Sequence, residues 1–218
     1  MKIKALLLFA ASFGVLVAIG QTAQQVLEQA IQYHDPNGEW PTLNAQFDFT
    51  ETRPNGADRI TFMILDNKSS YMKLNRNDEE AYQLMSDEAV TLIGDGDEAR
   101  AIRMRNYYLY LWGLPMKLLD ENTQLDETVK EEPVGDVPCY VLTVYYEAET
   151  YYFHFNKESG RMMQYTFIKV GSEKGEVIKL RDEISFGTIK IPQKRSWYTI
   201  PENKFLGMDI LDKLTLRD

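Results

Sequence analysis

Cysteine and histidine are nearly absent from this sequence, which has one cysteine and two histidines in 218 residues. A single cysteine excludes an intrachain disulfide, so the fold must be stabilised by a buried core. Zinc sites use three or four protein ligands, mostly nitrogen or sulfur, and this chain has too few of these. Cys139 lies in the strand-like segment PCYVLTVYY, where we expect a buried, structural thiol. We therefore predict no metal site and no cofactor.

Positive charge is also scarce, because 24 lysines and arginines face 33 aspartates and glutamates, giving a formal net charge of −9. Nucleic acids and anionic lipid surfaces both require a cationic face on the protein. The basic groups within residues 100–105 and 190–195 are short and typical of a solvated surface. The charge balance predicts that nucleic acid is not a partner.

The one long apolar run comes at the start, where MKIK precedes residues 5–20, sixteen residues without a charge. A basic head, an apolar stretch and small residues at its end are typical of a secretory signal peptide. The run is shorter than the ~20 residues of a membrane-spanning helix. We predict a signal peptide at 1–20 that is cleaved after Gly20. The mature chain, with a net charge of −11, should be periplasmic or secreted, monomeric and not stably inserted in a membrane.

The mature chain begins with a helical pattern and then changes period. Apolar residues at Val26, Ala30 and Tyr33 predict an amphipathic helix over residues 21–34. The pair Asp35-Pro36 should end it, because the residue before proline is pushed out of the helical region. In LNAQFDFTET, apolar and polar residues then alternate strictly, which predicts a half-buried strand.

The segment YHDPNGEWP between this helix and strand has two interpretations. As a metal site it would use His34, Asp35 and Glu39, with His154 from a later strand. As a structural element it is the end of a helix, a proline stop and an Asn-Gly turn, with Trp40 packing the loop against the sheet. The second interpretation accounts for every residue, and we predict a structural role.

The rest of the chain predicts a curled sheet with a helical insertion. About ten to eleven short strands follow one another, with hairpin signals such as RPNGAD between them. Residues 98–119 form a helical segment that is interrupted at Gly113-Leu114-Pro115. The fold class is mainly β (α+β), with a strongly curled antiparallel sheet, or unclosed β-barrel, an N-terminal helix and a mid-chain helical lid. We predict a single domain over residues 21–218.

Three stretches carry a resemblance to known proteins: LNAQFDFTETRPNGADRITFMIL, GLPMKLL, and YYFHFNKESGRMMQYTF followed by ISFGTIKIPQKRSWY. Their order resembles the LolA-like superfamily of periplasmic outer-membrane lipoprotein-sorting carriers. The YHDPNG turn and the IPENKFLG ending are similar to those of an uncharacterised secreted family within or near it. The resemblance implies a half-barrel whose concave face binds acyl chains or another apolar ligand. In two respects the chain differs from the carriers: Asn67-Lys68-Ser69 replaces their arginine-proline turn, and the acidic balance does not favour docking to a membrane partner.

On this basis we predict a non-enzymatic binding protein with an apolar cavity for a lipid, an acyl chain or a lipoprotein. The candidate ligand-binding residues on the sheet are Phe47, Phe49, Phe62, Ile64, Met72, Leu74 and Leu84. Those on the lid are Trp112, Met116 and Leu119. Two alternatives remain open: an envelope interaction module that docks a protein or glycan through aromatic surface, and a hydrolase that uses His154 with a carboxylate.

Aromatic residues are abundant, with 13 tyrosines, 10 phenylalanines and 3 tryptophans. They cluster at residues 107–112, 145–146, 151–153 and 197–198. A β-rich core favours such residues in any case. Their functional interpretation is either a cavity for an amphiphile, with tyrosine hydroxyls at its polar end, or sugar binding by stacking on an exposed Trp112 or Trp197.

Overall fold

A computed structural model describes residues 20–76, 79–86, 90–92 and 97–217, with the backbone alone for 79–86 and 90–92. The predicted signal peptide lies outside the described residues, apart from Gly20. Helix α1 spans Ala23–His34 and begins with a capping box at Thr22. The Thr22 hydroxyl accepts the backbone N–H of Gln25, and the Gln25 side chain accepts the N–H of Thr22. These reciprocal bonds satisfy two otherwise unpaired donors and fix where the helix starts.

The predicted helical lid is confirmed. Helix α2 spans Glu98–Gly113, and Asp97 caps it by accepting the backbone N–H of Arg100 at 3.0 Å. Pro115 then separates α2 from a 3-10 helix at Met116–Leu119. A first 3-10 helix, Trp40–Thr42, precedes the sheet. Neither α1 nor α2 is long and apolar enough to cross a membrane.

Thirteen antiparallel strands in the described part of the chain form one sheet, of which two strands have only two residues each. They are β1 Asn44–Thr52, β2 Arg59–Asp66, β3 Tyr71–Arg76, β4 Glu79–Ser86, β5 Val90–Leu92, β6 Gln124–Leu125, β7 Lys130–Glu131, β8 Cys139–Tyr145, β9 Glu149–Asn156, β10 Met162–Lys169, β11 Gly175–Phe186, β12 Ile189–Ile200 and β13 Phe205–Leu216. The order is β5-β4-β3-β2-β1-β13-β12-β11-β10-β9-β8-β6, with β7 also on β8. The sheet has two ends and is not closed into a barrel, as predicted.

Two strand pairings do not join sequence neighbours: β6 pairs with β8, and β13 pairs with β1. Strand β13 lies between β12 and β1, so the end of the chain joins the first half of the sheet to the second. Phe47 pairs with Leu214, and the N–H of Arg217 donates to the carbonyl of Asn44 at 2.9 Å. This pairing satisfies backbone groups of β1 and β12 that would otherwise form open edges.

Two apolar cores lie between the helices and the sheet. In the α2 core, Trp112 and Tyr108 of α2 pack on Phe47, Phe49 and other side chains of β1–β3. In the α1 core, α1 and the 3-10 helix at Met116–Leu119 pack on β8–β11. The buried side chains of α2 therefore fill the space between this helix and the described side chains of β1–β3.

The segment between α1 and β1 has the predicted structural role. His34 is fully buried, its Nδ1 lies 2.7 Å from the carbonyl of Lys190, and its Nε2 accepts the N–H of Met162 at 3.0 Å. The Asp35 carboxylate accepts the N–H groups of Glu39 and Trp40. Among the described residues, no group of three or more His, Cys, Asp or Glu side chains could hold a metal ion.

Candidate ligand-binding cleft

Two cavities lie on opposite flanks of α2. The first, of about 470 Å³, lies between the α1–β1 segment, β2–β3 and the lid, and both Arg105 and Leu109 of α2 line it. The second, of about 640 Å³, lies between α2 and strands β9–β12. Both volumes fall in the range of small-molecule sites, roughly 300–1,000 Å³.

We call the second cavity the aromatic cleft, because most of its lining is aromatic. The lining residues are Asn106, Tyr107, Tyr110, Leu111, Tyr146, Ala148, Glu149, Tyr151, Tyr165, Phe167, Glu176 and Trp197. Seven of these twelve side chains are Tyr, Phe or Trp, which present large apolar faces with a few polar tips.

The rings of the aromatic cleft pack in two groups. Tyr151 stacks on Phe167 with ring centroids 5.3 Å apart, and Tyr146 meets Tyr151 edge to face at 5.4 Å. In the other group, Trp197 contacts Tyr107 at 6.1 Å and Tyr165 at 6.3 Å. These separations are typical of favourable aromatic pairs, so ring contacts stabilise the wall of the cleft.

Hydrogen bonds hold the two sides of the cleft together. The hydroxyl oxygens of Tyr110 on α2 and Tyr146, in the turn after β8, are 2.6 Å apart. Burial raises the pKa of Tyr110, Tyr151 and Tyr165, and neighbouring carboxylates or tyrosines raise those of Tyr110 and Tyr151 further. These three hydroxyls therefore stay neutral at any physiological pH and offer hydrogen bonds, not charge.

The ten residues predicted to bind ligand occupy three different environments. Phe47, Phe49, Leu74 and Trp112 are fully buried in the α2 core and fill space between helix and sheet. Met72, Met116 and Leu119 line the first cavity. None of the nine predicted residues whose side chains the structure describes lines the aromatic cleft.

The remaining three predicted residues lie elsewhere. Phe62 and Ile64 pair with Asp48 and Gln46, so they lie on the face of β1–β2 opposite to Phe47 and Phe49. The positions of β2 that face the α2 core are Thr61, Met63 and Leu65, and all three side chains are buried. Leu84 lies in β4 opposite Met72, and its side chain is outside the described residues.

His154 and Cys139 lie away from both cavities. His154 is 4% exposed, and its Nε2 lies 3.9 Å from a carboxylate oxygen of Glu132. Burial lowers the pKa of His154, and the nearby Glu132 carboxylate raises it. Cys139 is buried as predicted, and burial raises the pKa of its thiol, so it lacks the thiolate character of a nucleophile.

The sequence identified the aromatic clusters, but it did not predict that they line one cleft. Tyr110, Tyr146, Phe167 and Trp197 come from four separate segments, and only the strand order brings them to one cleft. Glu149 and Glu176 gave no signal in an acidic sequence, because nothing in their local pattern distinguishes them from surface carboxylates. The only available indication was the density of tyrosine in each segment.

An open antiparallel half-barrel with helices against its inner face and an apolar cleft beside the mid-chain helix defines a LolA-like fold. Residues 96–212 match the family of unknown function DUF6503, and the chain belongs to that family. The matched region includes α2 and β8–β12, which carry every residue of the aromatic cleft. Comparison with curated proteins gives no match.

Solved structures show the same fold at low identity. A LolA superfamily protein from Nitrosomonas europaea is 12% identical, with a TM-score of 0.58 over 91% of this chain and 95% of its own. A putative outer membrane lipoprotein-sorting protein domain from Vibrio parahaemolyticus is 10% identical, with a TM-score of 0.54 over 88% and 92%. A DUF1329 family protein from Desulfovibrio piger is 10% identical, with a TM-score of 0.53 over the same shares.

Proposed function

We propose that this protein is a non-enzymatic carrier or binding protein for a lipid, an acyl chain or a lipoprotein outside the cytoplasm, and that the aromatic cleft is its ligand site. The observation that carries this proposal is the cleft itself: about 640 Å³, seven aromatic rings and few polar groups. A largely apolar, preformed pocket with a few polar groups is the usual form of a hydrophobic-ligand site. The apolar, basic-headed start of the sequence supports export by a cleaved signal peptide.

The first cavity is the weaker candidate. Its lining includes Asp35, Asp66, Arg105, Lys117 and Asp120, so an acyl chain there would displace water from several charges. The predicted residues Met72, Met116 and Leu119 give it an apolar floor, and we propose that it accepts at most the end of a ligand. Phe47, Phe49, Leu74 and Trp112 act in this proposal as the core that holds α2 in place.

The test uses the protein purified from its native envelope, by native mass spectrometry followed by solvent extraction and lipid analysis. We expect a stoichiometric acyl-bearing adduct. In a second arm, Ala148→Trp fills the mouth of the aromatic cleft from an exposed turn, and the adduct should be lost. Ala57→Trp makes the same change in the exposed β1–β2 turn, outside the cleft, and the adduct should remain.

Other outcomes would redirect the proposal. A clean apo mass that stays unchanged after incubation with lipid would favour a docking module over a carrier. An adduct that survives Ala148→Trp but disappears on Met72→Trp would transfer the site to the first cavity. The hydrolase alternative would need turnover that depends on His154, which is buried and outside both cavities.

A further inference from the structure

The charges that line the aromatic cleft have one sign. Glu149 and Glu176 are its charged lining residues, and no lysine or arginine occurs among the described residues that line it. Arg105, next to the lining residue Asn106, lines the first cavity instead. The lining of the cleft is therefore apolar with two carboxylates. A smaller pocket of about 190 Å³ adjoins it at Tyr107, Glu176 and Trp197 and is lined by Arg53 and Arg59, but Arg59 is paired with Glu51 and Arg53 donates to the carbonyl of Ala57.

Glu176 lies within the aromatic wall. It pairs with Phe167 of β10 on one side and with Thr199 of β12 on the other, and its side chain is half-buried. In the part of the chain that the structure describes, no hydrogen bond or ion pair is formed by its carboxylate. Burial raises the pKa of Glu176, Glu149 raises it further, and exposed Lys169 partly opposes this effect. The carboxylate of Glu176 thus has little compensation from neighbouring positive charge.

Glu149 has a hydrogen-bond partner, and its side chain also lines the cleft. One of its carboxylate oxygens accepts the hydroxyl of Tyr151 at 3.0 Å, which leaves the other oxygen available. The negative charge of the Glu149 carboxylate disfavours ionisation of Glu176 and raises its pKa. A cation between them would relieve that repulsion.

The aromatic rings of the cleft also favour a bound cation. The face of an aromatic ring carries negative electrostatic potential and attracts ammonium groups, most strongly when they are desolvated. Trp197, Tyr107, Tyr151 and Phe167 present such rings to the cleft beside the two carboxylates. An anionic head would meet carboxylates and ring faces together, and both would repel it.

This inference rests on the proposed function. We propose that the ligand of the aromatic cleft is an amphiphilic lipid whose head is an ammonium group, bound between Glu176, Glu149 and the neighbouring rings. Its hydrocarbon chain lies against Leu111 and the tyrosines of α2. The site thereby selects ligands by head charge as well as by apolar character.

The test is isothermal titration calorimetry of the purified, lipid-free protein with three decyl probes, each kept below its micelle concentration. They are decyltrimethylammonium, neutral decyldimethylphosphine oxide and anionic decanoate. We expect the cationic probe to bind roughly tenfold more tightly than the neutral one, which corresponds to an ordinary desolvated cation–π and carboxylate contribution. Decanoate should bind most weakly.

Paired variants separate the site from the overall negative charge of the protein. Glu176→Gln should weaken binding of the cationic probe about tenfold and leave the neutral probe unchanged. Glu173→Gln makes the same charge change on the exposed β10–β11 hairpin and should leave both affinities unchanged. Glu149→Gln is a second cleft variant, in case Glu176→Gln disturbs folding, and should shift only the cationic probe.

Equal affinity of the three probes, or an unchanged affinity of the cationic probe in both cleft variants, would overturn the ammonium inference and leave the hydrophobic-ligand proposal intact. Failure of all three probes to bind would overturn both. Equal weakening by Glu173→Gln and Glu176→Gln would show attraction by net charge alone and would also overturn the inference.

Discussion

The guanidinium of Arg195 lies over the ring of Trp112, with its central carbon 4.2 Å from the ring centroid and both side chains fully buried. One Nη of Arg195 donates to the carbonyl of Pro192. Its Nε and other Nη have no hydrogen-bond partner among the described residues. Burial lowers the pKa of Arg195 to about 10, while Tyr165 and Asp209 favour its charged form. The core thus holds a cation that contacts the ring of Trp112 and the carbonyl of Pro192.

We predict that Arg195→Lys destabilises the fold more than Arg195→Met does. Lysine keeps a charge in the core but loses the planar stack on Trp112, whereas methionine removes the desolvation cost and keeps most of the apolar volume. The difference between the two variants should be about 2 kcal/mol. Urea unfolding with an unchanged denaturant slope would measure it. Equal stability of the two variants would show that a buried charge without the stack carries no cost at this position.

Two buried groups should give opposite pH dependences of stability. His34 has its pKa lowered from 6.5 to about 4, chiefly by burial, although the carbonyl of Lys190 opposes this. Its Nε2 accepts the N–H of Met162. Protonation would replace that acceptor with a donor. Because the unfolded chain binds the proton more tightly, His34 stabilises the fold above pH 6.5, and this contribution is lost as the pH falls towards 4.

Asp209 titrates in the same window with the opposite sign. Burial and the nearby Glu51 raise its pKa from 3.8 to about 6, against the effects of the Trp197 indole N–H, Arg195 and Arg59. Here the folded state binds the proton more tightly. The contribution of Asp209 is therefore present below pH 3.8 and is lost as the pH rises through 6.

Each single variant should reveal the slope of the other group. As the pH rises from 4 to 6.5, the stability of Asp209→Asn should increase relative to the wild type by about 3 kcal/mol. Over the same rise, the stability of His34→Gln should decrease relative to the wild type by about 3 kcal/mol. Urea midpoints measured at half-unit pH intervals give both differences. Parallel curves for either variant and the wild type would show that the group titrates as it does in the unfolded chain.

Gly160 should tolerate no side chain, because its backbone lies against α1. Its φ is +78°, and a Cβ would lie 2.5 Å from the carbonyl oxygen of Gln29. Gly171 has a similar φ of +72° with nothing within 4 Å of its Cβ position. Gly160→Ala should therefore destabilise by about 2 kcal/mol more than Gly171→Ala. Both variants place alanine at a positive φ, so the difference between their thermal unfolding isolates the clash with Gln29. Equal losses of stability would mean that α1 moves aside to accommodate the Cβ.

The Tyr110–Tyr146 bond should contribute measurably to stability, since it joins α2 to the turn after β8. Tyr146→Phe keeps the ring contacts of the cleft and removes one hydroxyl, and should lower the free energy of unfolding by about 1 kcal/mol. Tyr152→Phe removes a hydroxyl on the opposite face of β9 and serves as the control. A loss in the control as large as that of Tyr146→Phe would show that the bond itself adds nothing.

Local patterns predicted the elements well because local physics determines them. The strict alternation around Phe47 and Phe49 predicted β1, and Pro36 and Pro115 marked helix ends that the structure retains. In β2 the pattern was ambiguous, because Ile60, Phe62, Met63, Ile64 and Leu65 are all apolar. Its inward face is decided by the pairing of Phe47 with Met63, which is a property of the neighbouring strand.

Long-range relationships could not be predicted in the same way. The pairing of β1 with β13 joins residues more than 150 positions apart, and no turn signal indicates it. The aromatic cleft depends on how α2 packs across β9–β12, because this packing brings Trp197 of β12 within reach of Tyr107 of α2, and Trp197 also contacts Tyr165 of β10. Arg195 had the pattern of a surface residue within a basic stretch, and only the register of β12 shows that its side chain is directed into the core.

The position of β13 has a consequence for biosynthesis. Strands β1–β5 precede β13 in the chain, and in the described part of the sheet they hydrogen-bond to its second half through β13. Pairing across such a sequence distance is slow, because a long loop must close before any contact compensates. During synthesis, the first half of the sheet therefore stays unpaired with the second half until β13 has been made.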